Sequence, residues 1–212
     1  MKVRMATVGP LQENCFIFNA DDADRCLVVD PGEEGARLLA AIEQEGLTVE
    51  AILLTHTHFD HVGAVAEIAR ATGAPVYCPE LEVEVLANIN DYVRFEGFGP
   101  FEAYQADHAV KGGDTLELAG LTLEVLFVPG HSPGHVAYYV ADGGALFSGD
   151  VLFQGSVGRT DLPGGDHVTL LASIAMLLET LPGETQVMPG HMAPTTLDTE
   201  RATNPFLHEP AS

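Results

Sequence analysis

The amino-acid sequence predicts an α/β fold whose chemistry gathers at the carboxyl ends of strands. Three observations carry that expectation. Apolar runs of strand length alternate with segments of helical spacing along the 212 residues. Four apolar runs end in a metal-ligand residue type, at His56, His131, Asp150 and His191. No long linker and no short repeat interrupts the pattern, so one domain over residues 1–212 is expected. Strand carboxyl ends are where α/β folds place their sites.

Residues 3–8 and 14–19 read as strands around a Gly9-Pro10 turn, and 26–30 as a third strand closed by Pro31-Gly32. Residues 34–45 carry helical spacing, with Ala36, Leu39, Ala40 and Ile42 on one side and Gly46 as the stop. Residues 49–54 form an apolar strand that runs into Thr55-His56-Thr57-His58-Phe59-Asp60-His61, and a helix is expected over 62–71. A short strand at 75–78 and a helix at 80–89 follow. Residues 90–113 read as irregular, either a functional lid or a loop packed by its own aromatics, among them Phe95, Phe98, Phe101 and Tyr104.

The second half repeats the style. Residues 115–118 and 121–128 form a hairpin that ends in Pro129-Gly130-His131-Ser132-Pro133-Gly134-His135. Strands at 136–140 and 145–147 lead to Ser148-Gly149-Asp150. A glycine-rich loop over 155–165 precedes a helix at about 167–181, with Asp166 as its cap. A last strand at 186–188 ends in Pro189-Gly190-His191.

His56 and His58 stand two apart on an extended segment, so both rings point to one side and can share one ion. Asp60 and His61 come at the turn into the helix and face a neighbouring position, which suggests two adjacent metals. Converging strand ends would assemble His56, His58, Asp60, His61, His131, Asp150 and His191. Nitrogen and carboxylate donors without thiolate suit zinc and permit iron or manganese. Asp30, at a strand end, is read as orienting a ligand histidine, and His135 as a hydrogen-bonding partner rather than a ligand.

A formal charge of −22 speaks against nucleic acid and anionic membranes as partners. No apolar stretch reaches the length of a membrane span or of a signal peptide, so a cytoplasmic location is expected. Cys15, Cys26 and Cys78 are scattered and read as buried free thiols. After His131 the only cations are Arg159 and Arg201, which leaves Arg159 as the candidate for binding an anionic substrate, against a structural pairing with Asp161 or Asp166.

Taken together, T-H-T-H-F-D-H, P-G-H-S-P-G-H, S-G-D and P-G-H resemble the metallo-β-lactamase superfamily over nearly the whole chain. The resemblance implies a four-layer αββα sandwich with two metals at one edge of the sheets. It implies that His56, His58 and His131 hold the first metal, that Asp60, His61 and His191 hold the second, and that Asp150 bridges them. True β-lactamases lack that bridging aspartate, so the resemblance does not imply their activity. Within the superfamily the chain is most similar to the glyoxalase II group, which hydrolyses glutathione thioesters. Full-length members carry a C-terminal helical extension with basic residues; 21 residues follow His191 here, and a short branch without that extension is implied. Val157-Gly158-Arg159-Thr160-Asp161 replaces the group's Gly-Lys and tyrosine, and G-R-T-D is also similar to the persulfide dioxygenases.

Three functions stay open at this stage. In a dinuclear thioester hydrolase, a hydroxide held between the metals would attack the carbonyl, with Asp60 orienting it. In an iron dioxygenase acting on a persulfide, His56, His131 and Asp150 could supply two nitrogens and a carboxylate. A non-catalytic binding module would be expected to have lost ligands, and none is missing. The partner in either enzyme is a small molecule.

Overall fold

The structure, a computed structural model, describes residues 1–93 and 95–208. The first sheet runs in chain order: β1 (Lys2–Val8), β2 (Glu13–Asn19), β3 (Arg25–Val29), β4 (Thr48–Leu53), β5 (Val76–Pro79) and β6 (His108–Val110). Its first three strands are antiparallel and β3 to β6 are parallel. The second sheet contains β7 (Thr115–Leu118), β8 (Leu121–Phe127), β9 (Val136–Val140) and β10 (Ala145–Gly149). A small hairpin, β11 (Leu152–Phe153) with β12 (Ser156–Val157), stands apart from it. β13 (Gln186–Pro189) then pairs parallel to β10 and is edged by β14 (Thr195–Thr196).

Alternation along the strands makes the layers. Phe16 and Phe18 of β2 face the second sheet, where Phe18 stacks on Phe147 at 4.3 Å, while Cys15 and Ile17 face outward. That outer face is covered by α1 (Gly35–Gln44) and α3 (Val65–Thr72), through Leu38, Ile42, Val65 and Ile68. α6 (His167–Thr180) covers the outer face of the second sheet with Leu170, Ile174 and Leu177 against Leu146 and Val187. Full burial of each such side chain stabilises the fold by about 1.5–3 kcal/mol. The architecture is therefore the expected αββα sandwich, and β2 is buried along its whole length because both of its faces are covered.

The local boundaries differ in several places, including the hairpin β11–β12 at the start of the expected 155–165 loop and the short strand β14. The helix expected over 62–71 is divided into α2 (Phe59–Val62) and α3. At the break, Gly63 lies so close to the Gly32 carbonyl that a Cβ would overlap it, and Ala64 leaves helical geometry at φ −103°. The helix expected over 80–89 is α4 (Val83–Ala87) followed by α5 (Ile89–Tyr92), separated at Asn88. The stretch expected to be irregular over 90–113 contains β6, and Phe95, Phe98 and Phe101 close on Phe59 with ring centroids 5.0–5.8 Å away. A further helix, α7 (Leu197–Thr203), packs after β14. Asp166 caps α6 as expected, accepting from the Thr169 N–H at 2.7 Å. Cys15 and Cys26 lie on neighbouring strands as buried free thiols. Among the described residues no helix is long and apolar enough to cross a membrane.

Candidate metal centre

Strand ends deliver the site. β4 ends at Leu53, and Thr55 to His58 continue at the sheet edge before α2 begins. His58 is still extended, at φ −63° and ψ 145°, so His56 Nε2 comes within 3.1 Å of His58 Nδ1. The turn after β8 brings His131 Nε2 to 2.8 Å from the same atom. On the first turn of α2 the chain has rotated. Asp60 Oδ2 lies 3.3 Å from His191 Nε2 and 4.0 Å from His61 Nε2. Among the described residues three groups converge closely enough to hold an ion: His56 with His58 and His131, Asp60 with His61 and His191, and Asp30 with His56 and His61. In the third, Asp30 is already engaged by Thr55 and by His61 Nδ1.

Asp150 lies between the first two. Its Oδ1 is 3.4 Å from His61 Nε2, and its Oδ2 is 3.5 Å from His131 Nε2 and 3.6 Å from His191 Nε2. All seven expected ligand residues are therefore gathered at one sheet edge.

Neighbouring groups fix the rings. Asp30 accepts from the Thr55 N–H at 2.7 Å and the Thr55 hydroxyl at 2.6 Å, and its Oδ2 lies 3.1 Å from His61 Nδ1. A carboxylate there accepts from Nδ1–H and turns His61 Nε2 toward Asp150. His131 Nδ1 donates to the Arg159 carbonyl at 2.8 Å, which leaves its Nε2 free for the centre. His135 Nε2 accepts the Asp150 N–H at 3.1 Å, so His135 acts on the backbone of Asp150 and offers no atom to either group.

Arg159 is oriented by its guanidinium, whose Nε and Nη2 donate to Asp161 at 2.7 and 2.8 Å in a fork-to-fork pair on the surface. Of the two roles expected for it, the structure realises the pairing with Asp161. Its carbonyl is bonded to His131, and the Asp60 carboxylate acts on its guanidinium through charge.

Three contributors were not legible in the sequence. Glu13 is a buried carboxylate 3.9 Å from His61 Nδ1, and burial raises its pKa well above the carboxylate range. The Asn14 side chain donates to the carbonyls of Pro189 at 3.1 Å and Met192 at 2.7 Å, and the Asn14 N–H donates to Gly190 at 2.7 Å, so β2 clamps the turn that carries His191. Glu82 is buried between the two histidine loops. None had a local sequence signal, because each acts across the tertiary fold.

The electrostatics divide the histidines. Burial, reinforced by neighbouring histidines, holds His56 and His135 well below the ordinary histidine range and brings His58 down to about 4. Burial acts the same way on His61 and His191, but the Asp150 and Asp60 carboxylates outweigh it and raise both. Burial would raise Asp150 and Asp60, yet the histidines around them, His61 foremost, hold both below the usual carboxylate value.

A divalent metal fits these residues. His61 Nε2 and Asp150 Oδ1 are buried, face each other and have no hydrogen-bond partner in the protein. Gly190 keeps the space beside them clear: a Cβ there would overlap Asp150 Oδ1 and come within 2.6 Å of His61 Cε1. Imidazole and carboxylate donors accept zinc, iron or manganese.

Comparison with known proteins agrees with this architecture. The family model described as Metallo-beta-lactamase superfamily matches residues 8–191. The chain is 47% identical over 210 residues to the probable metallo-hydrolase YqgX of Bacillus subtilis, covering 98% of each. It is 35% identical to the hydroxyacylglutathione hydrolase GloC of Haemophilus influenzae, covering 98% of this chain and 99% of that one. Among solved structures it is similar to the BLEG-1 B3 metallo-beta-lactamase, with TM-score 0.92 and 41% identity over 98% of this chain and all of that one. It is also similar to TTHA1623 in a di-iron-bound form, with TM-score 0.87 and 44% identity over 96% of this chain and all of that one. The sandwich, the site at its edge and these matches agree, and the chain belongs to the metallo-β-lactamase superfamily.

Proposed function

We propose that the chain is a dinuclear metal-dependent hydrolase of thioesters, of the kind formed by a hydroxyacyl group and glutathione. The observation that carries this reading is the position of Asp150, with one oxygen toward His61 and the other toward His131 and His191. A carboxylate so placed could serve two ions at once. In this reading His56, His58 and His131 hold one ion, and Asp60, His61 and His191 the other. When bound, the metals supply Lewis acidity and lower the pKa of a water from 15.7 to about 7.

The chain's own groups do the rest. Asp60 is held ionised and is partly exposed, so it can accept a hydrogen bond from the attacking water and orient it. Asp30 holds His61 in one tautomer, and the Arg159 carbonyl does the same for His131. A thiolate needs no acid to leave, because a free thiol has a pKa of about 8.5. The similarity to GloC supports the thioester class.

The test combines metal analysis of protein purified without added metal with a substrate panel. About two metals per chain and turnover of a hydroxyacylglutathione thioester support the proposal. The similarity to BLEG-1 makes a β-lactam a necessary member of that panel. The Gly158-Arg159-Thr160-Asp161 segment keeps a persulfide dioxygenase as the second reading, while the di-iron form of TTHA1623 bears on which metal binds and not on a single-iron centre. One iron per chain, oxygen uptake with a persulfide and no thioester turnover would replace the first reading with the second.

A further inference from the structure

We propose that Glu82 is the positioning residue that sets the geometry of the three-histidine group, acting through both histidine loops at once. The inference rests on the metal reading of that group given above. Glu82 follows β5 and is buried, 4% exposed. Its Oε2 accepts from the Thr57 N–H at 2.6 Å and the Thr57 hydroxyl at 2.8 Å. Its Oε1 accepts from the Ser132 hydroxyl and from the Gly134 N–H at 3.1 Å. Thr57 lies between His56 and His58; Ser132 follows His131 and Gly134 precedes His135.

Four donors thus converge on one carboxylate, two on each oxygen. An ionised carboxylate has about four acceptor sites and no donor, so the group matches this environment in full. An amide would not: its nitrogen would face two donors. Hydrogen bonds to an ionised acceptor are shorter and stronger than neutral ones, so a single side chain ties residues 57 and 132–134 rigidly together. The loops also meet through the Val136 N–H, which donates to the Thr55 carbonyl at 2.9 Å, and through the facing rings of His131 and His58, 2.8 Å apart at Nε2 and Nδ1. Gly134 is part of the same device, since a Cβ there would overlap Glu82 Cγ. The Ser-Pro-Gly between His131 and His135 thereby acquires a purpose: two of its residues serve Glu82. None of the contacts of Glu82 reaches Asp60, His61 or His191, so its influence falls on one group and not the other.

Glu82→Gln preserves size and removes the match. Protein and variant are compared for zinc per chain during titration with a chelator, for the visible spectrum of the cobalt-substituted protein, and for kcat and KM on the thioester. Expected are two metals in the unaltered protein, and in the variant loss of one ion at a chelator concentration at least about 10-fold lower. The cobalt spectrum changes, kcat falls at least about 10-fold, KM stays within about 2-fold, and excess zinc partly restores turnover. Ser132→Ala removes a single donor and should shift the same ion in the same direction by a smaller factor; it carries the test if the glutamine variant does not fold. Two metals held with unaltered affinity and an unaltered cobalt spectrum would overturn the role of Glu82. So would equal loosening of both ions. Absence of metal from the unaltered protein would overturn the metal reading itself, and the inference with it.

Discussion

The carbonyl of Arg159, rather than its guanidinium, is what touches His131: it accepts from Nδ1 at 2.8 Å, while the guanidinium pairs with Asp161. Backbone and side chain of this residue therefore have separable duties. Arg159→Ala keeps the carbonyl and should leave metal content unchanged. If the guanidinium exchanges Asp161 for a substrate carboxylate, KM for a glutathione thioester should rise roughly 10-fold, from loss of a charged hydrogen bond of about 1.5–3 kcal/mol. A neutral thioester should be scarcely affected, and the difference should shrink at high salt. Steady-state kinetics on both substrates decide; equal losses on the two would confine Arg159 to its pairing with Asp161.

Asp150→Ala should remove metal and activity together. The change deletes the group facing His61 on one side and His131 and His191 on the other. Asp150→Asn should fold more nearly as the parent does but still weaken both ions, because a neutral amide offsets no charge. Two metals per chain retained in the alanine variant would show that the carboxylate does not bridge.

Gly190→Ala tests the cradle. Gly190 is outside the positive-φ set, so its backbone accommodates alanine, and the added methyl falls on Asp150 and His61. Expected are a kcat reduced at least about 10-fold and weaker metal retention, with a stability loss of about 1–3 kcal/mol, as for an overpacked site. Thermal melts with and without chelator, beside metal analysis, separate the two effects. Unchanged metal affinity would mean that the ligands relax around the methyl.

The metal-free protein should be most stable near pH 6.5. His56, His58 and His135 have lowered pKa values, His58 at about 4, so below about 6.5 they protonate in the unfolded chain before the folded one. Their contribution is present above about 6.5 and is lost as pH falls toward 4. His61 and His191 are raised. Their contribution is present below about 6.5 and is lost as pH rises through their folded values. Of these histidines, below about pH 6.5 only the three lowered ones change the balance, and above it only the two raised ones do, so melting temperature in chelator should fall on both sides of a maximum. A monotonic rise from pH 5 to 9 would contradict the assignment for His61 and His191.

The candidate ligands were legible because each follows or lies close to the stop of an apolar run. The motif 55–61 and the glycine-led His131, Asp150 and His191 announce themselves by residue type, by local spacing and by the strand before them. The division of Asp60 and His61 from His56 and His58 also followed from local geometry, an extended segment turning into a helix. What holds the ligands was not legible. Glu82 stands among Glu80 and Glu84 with nothing to distinguish it, and its partners lie 25 and 50 or more residues away. Asn14 acts on residues 175 and 178 positions later. The break between α2 and α3 depends on the Gly32 backbone approaching Gly63, a tertiary contact that helical spacing does not register. The Arg159 carbonyl carries no sequence information at all.

The clamp of Asn14 on the turn at 189–192 also bears on the order in which the molecule is made. Asn14 belongs to the second strand and His191 follows the thirteenth, so their meeting joins early chain to late chain. Such distant contacts form slowly, because the loop entropy must be overcome before they contribute. A nascent chain carries His56, His58 and His131 before it has His191, so the residues proposed for one ion are complete while those proposed for the other are not. On the two-metal reading, capture of the second metal would mark completed folding, and metal supply during synthesis would govern how long the unfinished edge stays open.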